Sequence, residues 1–211
     1  MPERPDDAED FAAKYESNNP ISRRLIDGYF SGVASLIATA TKSLPDAAVT
    51  HEVGCAEGNS TVRVRGLLPK GHDFSASELI QEQVEVARAA NPGLDIVQAD
   101  ATAMPQQDDS FDFVFILEVL EHVPEPAVVL AEMQRIIKPG GYLIAGVPRE
   151  PLWRVLNMAR GKYITGLGNT PGHIQHWSAR GFLTLVASDF GPVEESVQPL
   201  PWTIALSRNG G

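Results

Sequence analysis

Glu52, Gly54 and Gly58 carry the densest chemical signal in this chain of 211 residues. They lie in residues 48–58, Ala-Val-Thr-His-Glu-Val-Gly-Cys-Ala-Glu-Gly, where an apolar run with β-branched Val49 and Thr50 reaches an acid and breaks into a small-residue loop. A helical pattern then begins at Asn59-Ser60-Thr61. Small residues let a ligand approach the backbone, and the start of a helix offers free N–H groups. The spacing is not that of a dinucleotide loop. The positions equivalent to G-x-G-x-x-G are Gly54, Ala56 and Asn59, so the second and third glycines are missing. Glu52 and Glu57 would repel a pyrophosphate, whereas a ligand carrying an ammonium and a sulfonium would be welcome.

Further acids follow at regular intervals. Glu78, with Leu79 after it, ends a strand expected over His72–Leu79, ahead of a helix over Gln81–Ala90. A carboxylate there can accept both ribose hydroxyls, a chemistry shared by nicotinamide and adenosyl ligands. Asp100-Ala101 follows a third strand, Leu94–Gln98, and Glu118 follows a fourth, Phe111–Leu117. Lys138-Pro139-Gly140-Gly141 precedes a fifth, Tyr142–Val147. Beyond the fourth strand stands Glu118-Val119-Leu120-Glu121-His122. If these residues form a helical turn, positions i, i+3 and i+4 share one face. Two carboxylates and an imidazole would then converge as a divalent-metal site. His173 and His176 add two imidazoles downstream.

The series Glu52-Val53-Gly54-Cys55-Ala56-Glu57-Gly58, Glu78 before Gln83-Val84-Glu85-Val86-Ala87-Arg88, Asp100-Ala101, Phe111-Asp112 and Lys138-Pro139-Gly140-Gly141 resembles the class I S-adenosylmethionine-dependent methyltransferases over roughly residues 45–148. The resemblance implies S-adenosylmethionine as cofactor. Gly54 and Gly58, with Glu52, Cys55 and Ala56 in the same loop, would meet its methionine part, and Glu78 and Leu79 its ribose. Asp100 and the Ala101 backbone would read adenine, and Glu118 would be a further cofactor contact; Tyr15 has two roles open, covering the cofactor or packing at the edge of the core. Ala56 departs from the family, where glycine is usual.

The E-x-x-E-H pattern is similar to that of ubiquinone-biosynthesis O-methyltransferases, and to that of small-RNA 2′-O-methyltransferases, in which a later histidine before a tryptophan completes the site. That likeness implies Mg²⁺ or Mn²⁺ on Glu118, Glu121, His122 and His173. Two roles stay open for these residues, because a glutamate and a histidine at this place also serve to orient loops without metal. His122, His173 and His176 are the candidate general bases for a hydroxyl acceptor. His176 has a second role open, capping a helix at Ser178. His51 and His72 begin strands and are expected to be structural.

Composition narrows the rest. Hydrophobic residues make up 43% and charged residues 21%, as in a globular domain, and 211 residues suffice for a full core. No run approaches the ~20 apolar residues of a membrane span. The acidic start lacks the apolar core of a signal peptide, and one cysteine fits a reducing cytoplasm. A net charge of −10 opposes nucleic acid as a general partner, although Arg149, Arg154, Arg160 and Lys162 form a basic stretch suited to an anionic group.

The elements that must position these residues form one α/β domain with a doubly wound, Rossmann-like sheet of seven strands, helices on both faces and an N-terminal helical lid. Residues 1–7 are expected to be a disordered tail and 8–44 helical, with a short helix over Ala8–Glu16 and a longer one from Ile21 to about Ser43. Residues 45–148 form the cofactor core, and 149–177 an irregular lid or substrate segment punctuated by glycines. Residues 178–211 supply a helix and two strands, Val193–Gln198 and Trp202–Ser207, with a reversed edge strand implied by the family. The expectation is a monomeric or homodimeric cytoplasmic enzyme that methylates a small molecule at oxygen. The alternatives are an RNA 2′-O-methyltransferase and a non-catalytic cofactor-binding protein.

Overall fold

A computed structural model describes residues 19–211. Tyr15, the helix expected over Ala8–Glu16 and the tail lie outside the described residues. Asn19 caps the first described helix: its side chain accepts the Ile21 amide at 2.9 Å, and Pro20 takes the first helical position, where no amide donor is needed. The helix that follows, α1 (Pro20–Ala40), buries Ile26, Tyr29, Phe30, Val33, Leu36, Ile37 and Ala40 along one stripe.

Seven strands then form a single sheet: β1 (Val49–Val53), β2 (Asp73–Glu78), β3 (Asp95–Gln98), β4 (Phe111–Leu117), β5 (Ile137–Pro148), β6 (Val193–Val197) and β7 (Trp202–Arg208). Their order is β3-β2-β1-β4-β5-β7-β6. The first five are parallel, and β7 runs antiparallel to both β5 and β6. The reversed strand therefore sits inside the sheet between β5 and β6, not at the edge as expected. The crossover helices are α2 (Asn59–Leu67), α3 (Gln81–Ala90) and α4 (Pro126–Ile136). Two more helices, α5 (Leu152–Ala159) and α6 (Ala179–Asp189), follow β5.

Period-two alternation in the central strands divides the core between the two faces. Phe113 and Phe115 of β4, Ile144 of β5 and Ile204 of β7 pack with α1. Val114 and Ile116 of β4, Leu143 and Ala145 of β5 and Ala205 of β7 pack instead with α4 and α6. β4 is buried along its whole length, as a central parallel strand must be. Chain order reverses direction between β1 and β4, and ligands of such sheets bind at the carboxyl edge beside that switch point.

The segment after β5 differs from expectation. Residues 152–159 form α5 where an irregular stretch was expected. Trp153 and Asn157, four apart and buried on one side, give it its inner face.

The first strand is anchored at its far end by Asp112, which accepts the Val49 amide at 2.8 Å and binds Lys138 Nζ through both oxygens at 2.9 Å. Asp112→Ala leaves a strand amide without its acceptor, so it should cost about 2 kcal/mol. A domain of this size would then melt roughly 4–8 °C lower by calorimetry. Lys138→Met should cost less, because the lysine is half exposed.

Candidate functional site

The loop from β1 to α2 is a tight cradle. Gly54, Ala56 and Gly58 have φ of 77°, 46° and 85°. A Cβ on Gly54 would overlap Val119 Cγ2, and one on Gly58 would overlap the Asn91 side chain and approach Ala87 at 3.2 Å. Glycine is thus required at both places by backbone angle and by packing. Ala56, the departure from the family, adopts the left-handed region all the same.

The loop's amides are engaged within the protein. Gly54 N and Cys55 N donate to Ser77 O at 2.8 and 3.0 Å, and Gly58 N to Cys55 O at 2.8 Å. Ala56 N donates to Glu78 Oε2 at 3.0 Å, while Glu78 Oε1 accepts from Leu79 and Ile80 at 2.8 and 3.0 Å. Glu78 therefore ties the loop to the end of β2. Of the about four acceptor directions on a carboxylate, these amides take three. Cys55 is buried, and burial together with the Glu52 carboxylate pushes its thiol far up, which fits a spacer and not a nucleophile.

Glu52 is treated differently from Glu78. It is 1% exposed, and neither oxygen has a regular hydrogen bond. The hydroxyls of Thr61 and Ser60 face it from the first turn of α2, and burial raises its carboxyl from 4.5 to about 7. After β3, Asp100 Oδ1 accepts from Thr102 N and Oγ1 at 2.8 and 2.7 Å, beside Ala101. Arg135 of α4 fastens the loop that follows by donating to Met104 O, Gln106 O and Asp108, and Glu132 of the same helix holds its guanidinium.

Of the four residues in the expected metal set, the structure brings three together. One ligand atom each of Glu121, His122 and His173 lies within 4.8 Å of the others. Glu118 stands apart, with its carboxylate accepting the Trp202 indole N–H. The reason is local: Glu118 has φ 58°, so the helical turn begins only at Leu120 and spans Leu120–His122. The i, i+3 relation of Glu118 to Glu121 is lost.

His173 is delivered by a loop sewn to both neighbours. Glu121 O accepts Ile174 N and Gln175 N at 2.9 and 3.1 Å, and Gly172 O lies 3.1 Å from His122 Nδ1. From the other side, Thr170 O accepts His173 N at 3.1 Å. Thr170 Oγ1 accepts the Trp153 indole at 2.8 Å and Asn157 Nδ2 at 3.2 Å. The Trp153 ring stacks on His173 at 6.0 Å. This Trp153–Asn157–Thr170 frame was missed in the sequence; its one signal was an asparagine four residues after a tryptophan in an otherwise apolar run.

His176 is exposed and outside the group. Burial of its ring, then the Arg154 charge, lowers its affinity for a proton. His51 is structural, held between Ser75 and Ser77 hydroxyls at 2.7 and 3.0 Å.

Donor chemistry tests the implied groups. A cradle with one acid on amides and a second buried without them fits a cationic adenosyl ligand and not a pyrophosphate. Two imidazoles with one carboxylate suit Mn²⁺ better than Mg²⁺, which prefers an all-oxygen shell.

Comparison with known proteins agrees with this geometry. Residues 51–145 match the methyltransferase domain family. A demethylmenaquinone methyltransferase of Renibacterium salmoninarum is 32% identical over 148 residues, 68% of this chain and 60% of that protein. A ubiquinone biosynthesis O-methyltransferase of Albidiferax ferrireducens is 33% identical over 121 residues, 55% of this chain and 48% of that protein. The chain thus spans between about half and three-fifths of the length of these two relatives. A solved SAM-dependent methyltransferase from Aquifex aeolicus shares the fold, with a TM-score of 0.69 at 16% identity over 95% of this chain and 98% of that one. Sheet order, cradle and matched segment together make this chain a member of the class I S-adenosylmethionine-dependent methyltransferases.

Proposed function

We propose that the protein transfers a methyl group from S-adenosylmethionine to the oxygen of a small aromatic acceptor. The observation that carries this reading is the convergence of Glu121, His122 and His173 at the carboxyl edge, one strand away from the cradle. The names of the relatives, which concern demethylmenaquinone and ubiquinone, favour a quinone-like ring. The net charge of −10 weighs against RNA.

When bound, S-adenosylmethionine supplies an activated methyl on a sulfonium that departs as a neutral thioether. This chain's residues must hold the acceptor in line and remove its proton. His173 or His122 would take the hydroxyl proton as oxygen forms its bond to carbon, a role worth about 10²–10⁴ in rate. Glu121 would orient the pair, and buried Trp153 and Trp202 would keep water out. With a divalent metal the roles would change: Glu121, His122 and His173 would hold the ion, which would lower the pKa of the acceptor hydroxyl in place of a histidine base.

Incubation with methyl-labelled S-adenosylmethionine and a panel of phenols, catechols and quinols should yield a labelled ether. His173→Ala should lower kcat roughly 10²–10⁴-fold and leave the affinity for S-adenosylhomocysteine unchanged. Transfer that survives His173→Ala and Glu121→Ala would remove this group from the mechanism. Chelation that reduces transfer, with Mn²⁺ restoring it, is the outcome expected if metal takes part.

A further inference from the structure

The turn Asn91-Pro92-Gly93 closes α3, and its asparagine is only 4% exposed. The backbone of Asn91 completes the turn by itself: its amide donates to Ala87 O at 2.9 Å, and its carbonyl accepts Leu94 N at 3.1 Å. The side chain goes further. Asn91 Nδ2 donates to Ala87 O at 3.0 Å and, across 33 positions of sequence, to Gly58 O at 3.3 Å. One N–H thus serves its own helix and the other serves the cradle, which uses both protons of the amide. Gly58 is seated closely against this end of α3. A Cβ on it would overlap Asn91 Nδ2 and stand 3.2 Å from both Cα and Cβ of Ala87.

The cradle is therefore clamped at two points by the unit that runs from β2 into α3. Glu78, at the end of β2, accepts Ala56 N at 3.0 Å in the middle of the loop. Asn91, at the end of α3, donates to Gly58 O where α2 begins. The same carbonyl accepts Val62 N at 3.2 Å, the first helical bond of α2. A carbonyl oxygen only accepts, so the partner at residue 91 must be a donor. A carboxylate of the same shape would repel it, and an alkyl group of the same size would leave it with the Val62 amide.

We propose that Asn91 is a positioning residue for the cofactor: it acts through Gly58 rather than on the ligand, and its hydrogen bond sets where the second glycine of the cradle stands. The inference rests on the cofactor reading above. Cofactor affinity then depends on a donor at the end of α3, a residue whose place in an Asn-Pro-Gly turn indicates only a change of chain direction.

The test is calorimetric titration with S-adenosylhomocysteine, which cannot react, at temperatures below melting. Asn91→Leu keeps the side-chain volume and removes both donors. It should bind roughly tenfold more weakly, with one site per chain retained. A role confined to stability predicts the reverse, fewer competent sites at wild-type affinity, and that result would overturn the proposal. Asn91→Asp adds a pH signature. Ionised at pH 8, its carboxylate opposes the Gly58 carbonyl; protonated at pH 5, it regains one O–H donor. Its affinity, taken relative to the wild type at the same pH, should recover severalfold between pH 8 and pH 5. A deficit equal at both pH values would show that the donor is immaterial and would also overturn the proposal. Should neither variant fold, the wild type decides by nitrogen-15 spectroscopy. The side-chain amide of Asn91 should shift when S-adenosylhomocysteine binds, whereas that of Asn209, equally buried and bonded to Gln134 O and Ile137 O, should not. An unmoved Asn91 signal counts against the proposal. If the wild type does not bind S-adenosylhomocysteine, the cofactor reading falls and the proposal with it; a wild type that binds beside an unaffected Asn91→Leu sinks the proposal alone.

Discussion

Gly54→Ala should abolish cofactor binding while leaving a folded, less stable protein. Residue 54 has φ 77°, a region costing a non-glycine residue on the order of 1–3 kcal/mol. The added methyl also points into Val119 Cγ2, with Cγ1 at 3.3 Å. Val119 lies immediately before the Leu120–His122 turn, so relief of the overlap must move either the cradle or the segment carrying Glu121 and His122. Either movement changes the distance between the cradle and the Glu121–His122 pair. The expected result is at least a hundredfold loss in S-adenosylhomocysteine affinity by calorimetry, with melting lowered by roughly 4–10 °C. The double variant Gly54→Ala/Val119→Ala separates the causes, because it removes the overlap but not the backbone strain. It should recover part of the stability and little of the affinity. Full recovery of both would show that φ at residue 54 is immaterial.

The second large effect is on acid stability, and it comes from His51. Burial lowers its imidazole from 6.5 to about 3. Between those values the unfolded chain binds a proton that the folded chain refuses. Stability from this group is therefore complete above 6.5 and falls as pH drops through the window, at about 1.4 kcal/mol per unit.

Glu52 acts in the opposite sense: its carboxyl rises from 4.5 to about 7, so the folded state takes up the proton first. Its contribution grows as pH falls from 7 to 4.5 and is constant below. The two slopes oppose one another between pH 4.5 and 6.5, and His51 acts alone of this pair below 4.5. Urea unfolding at half-unit intervals should show the wild type losing stability relative to His51→Gln as pH falls from 6.5 to 3, by a total on the order of 4 kcal/mol. Glutamine can keep bonds to Ser75 and Ser77 without a charge to bury. A pH-independent difference between the two proteins would mean that His51 is protonated in place.

The strands and helices of the cofactor half were legible because their signals are local. Five apolar runs, each closed by an acid or a small-residue turn and followed by a helical period, can build only a parallel sheet with crossover helices. The cradle was equally legible, since Gly54 and Gly58 record a requirement on backbone angle that only glycine meets cheaply. Glu121, His122 and His173 were placed together by family likeness before any geometry was known.

What tertiary structure decided depends on contacts between distant residues. Glu118 left the E-x-x-E-H group because a single left-handed φ turns its carboxylate to Trp202, 84 positions away. The place of β7 between β5 and β6 follows from burying Trp202, Ile204 and Leu206 against α1 and Ala205 against α6, which no local pattern states. The frame of Trp153, Asn157 and Thr170 that seats His173 is a hydrogen-bond network within residues 153–170. Amino-acid order thus specified the elements and the chemistry available, through propensity and periodicity. Long-range packing determined which side chains share a site, because burial and hydrogen-bond satisfaction are settled only when the whole chain has folded.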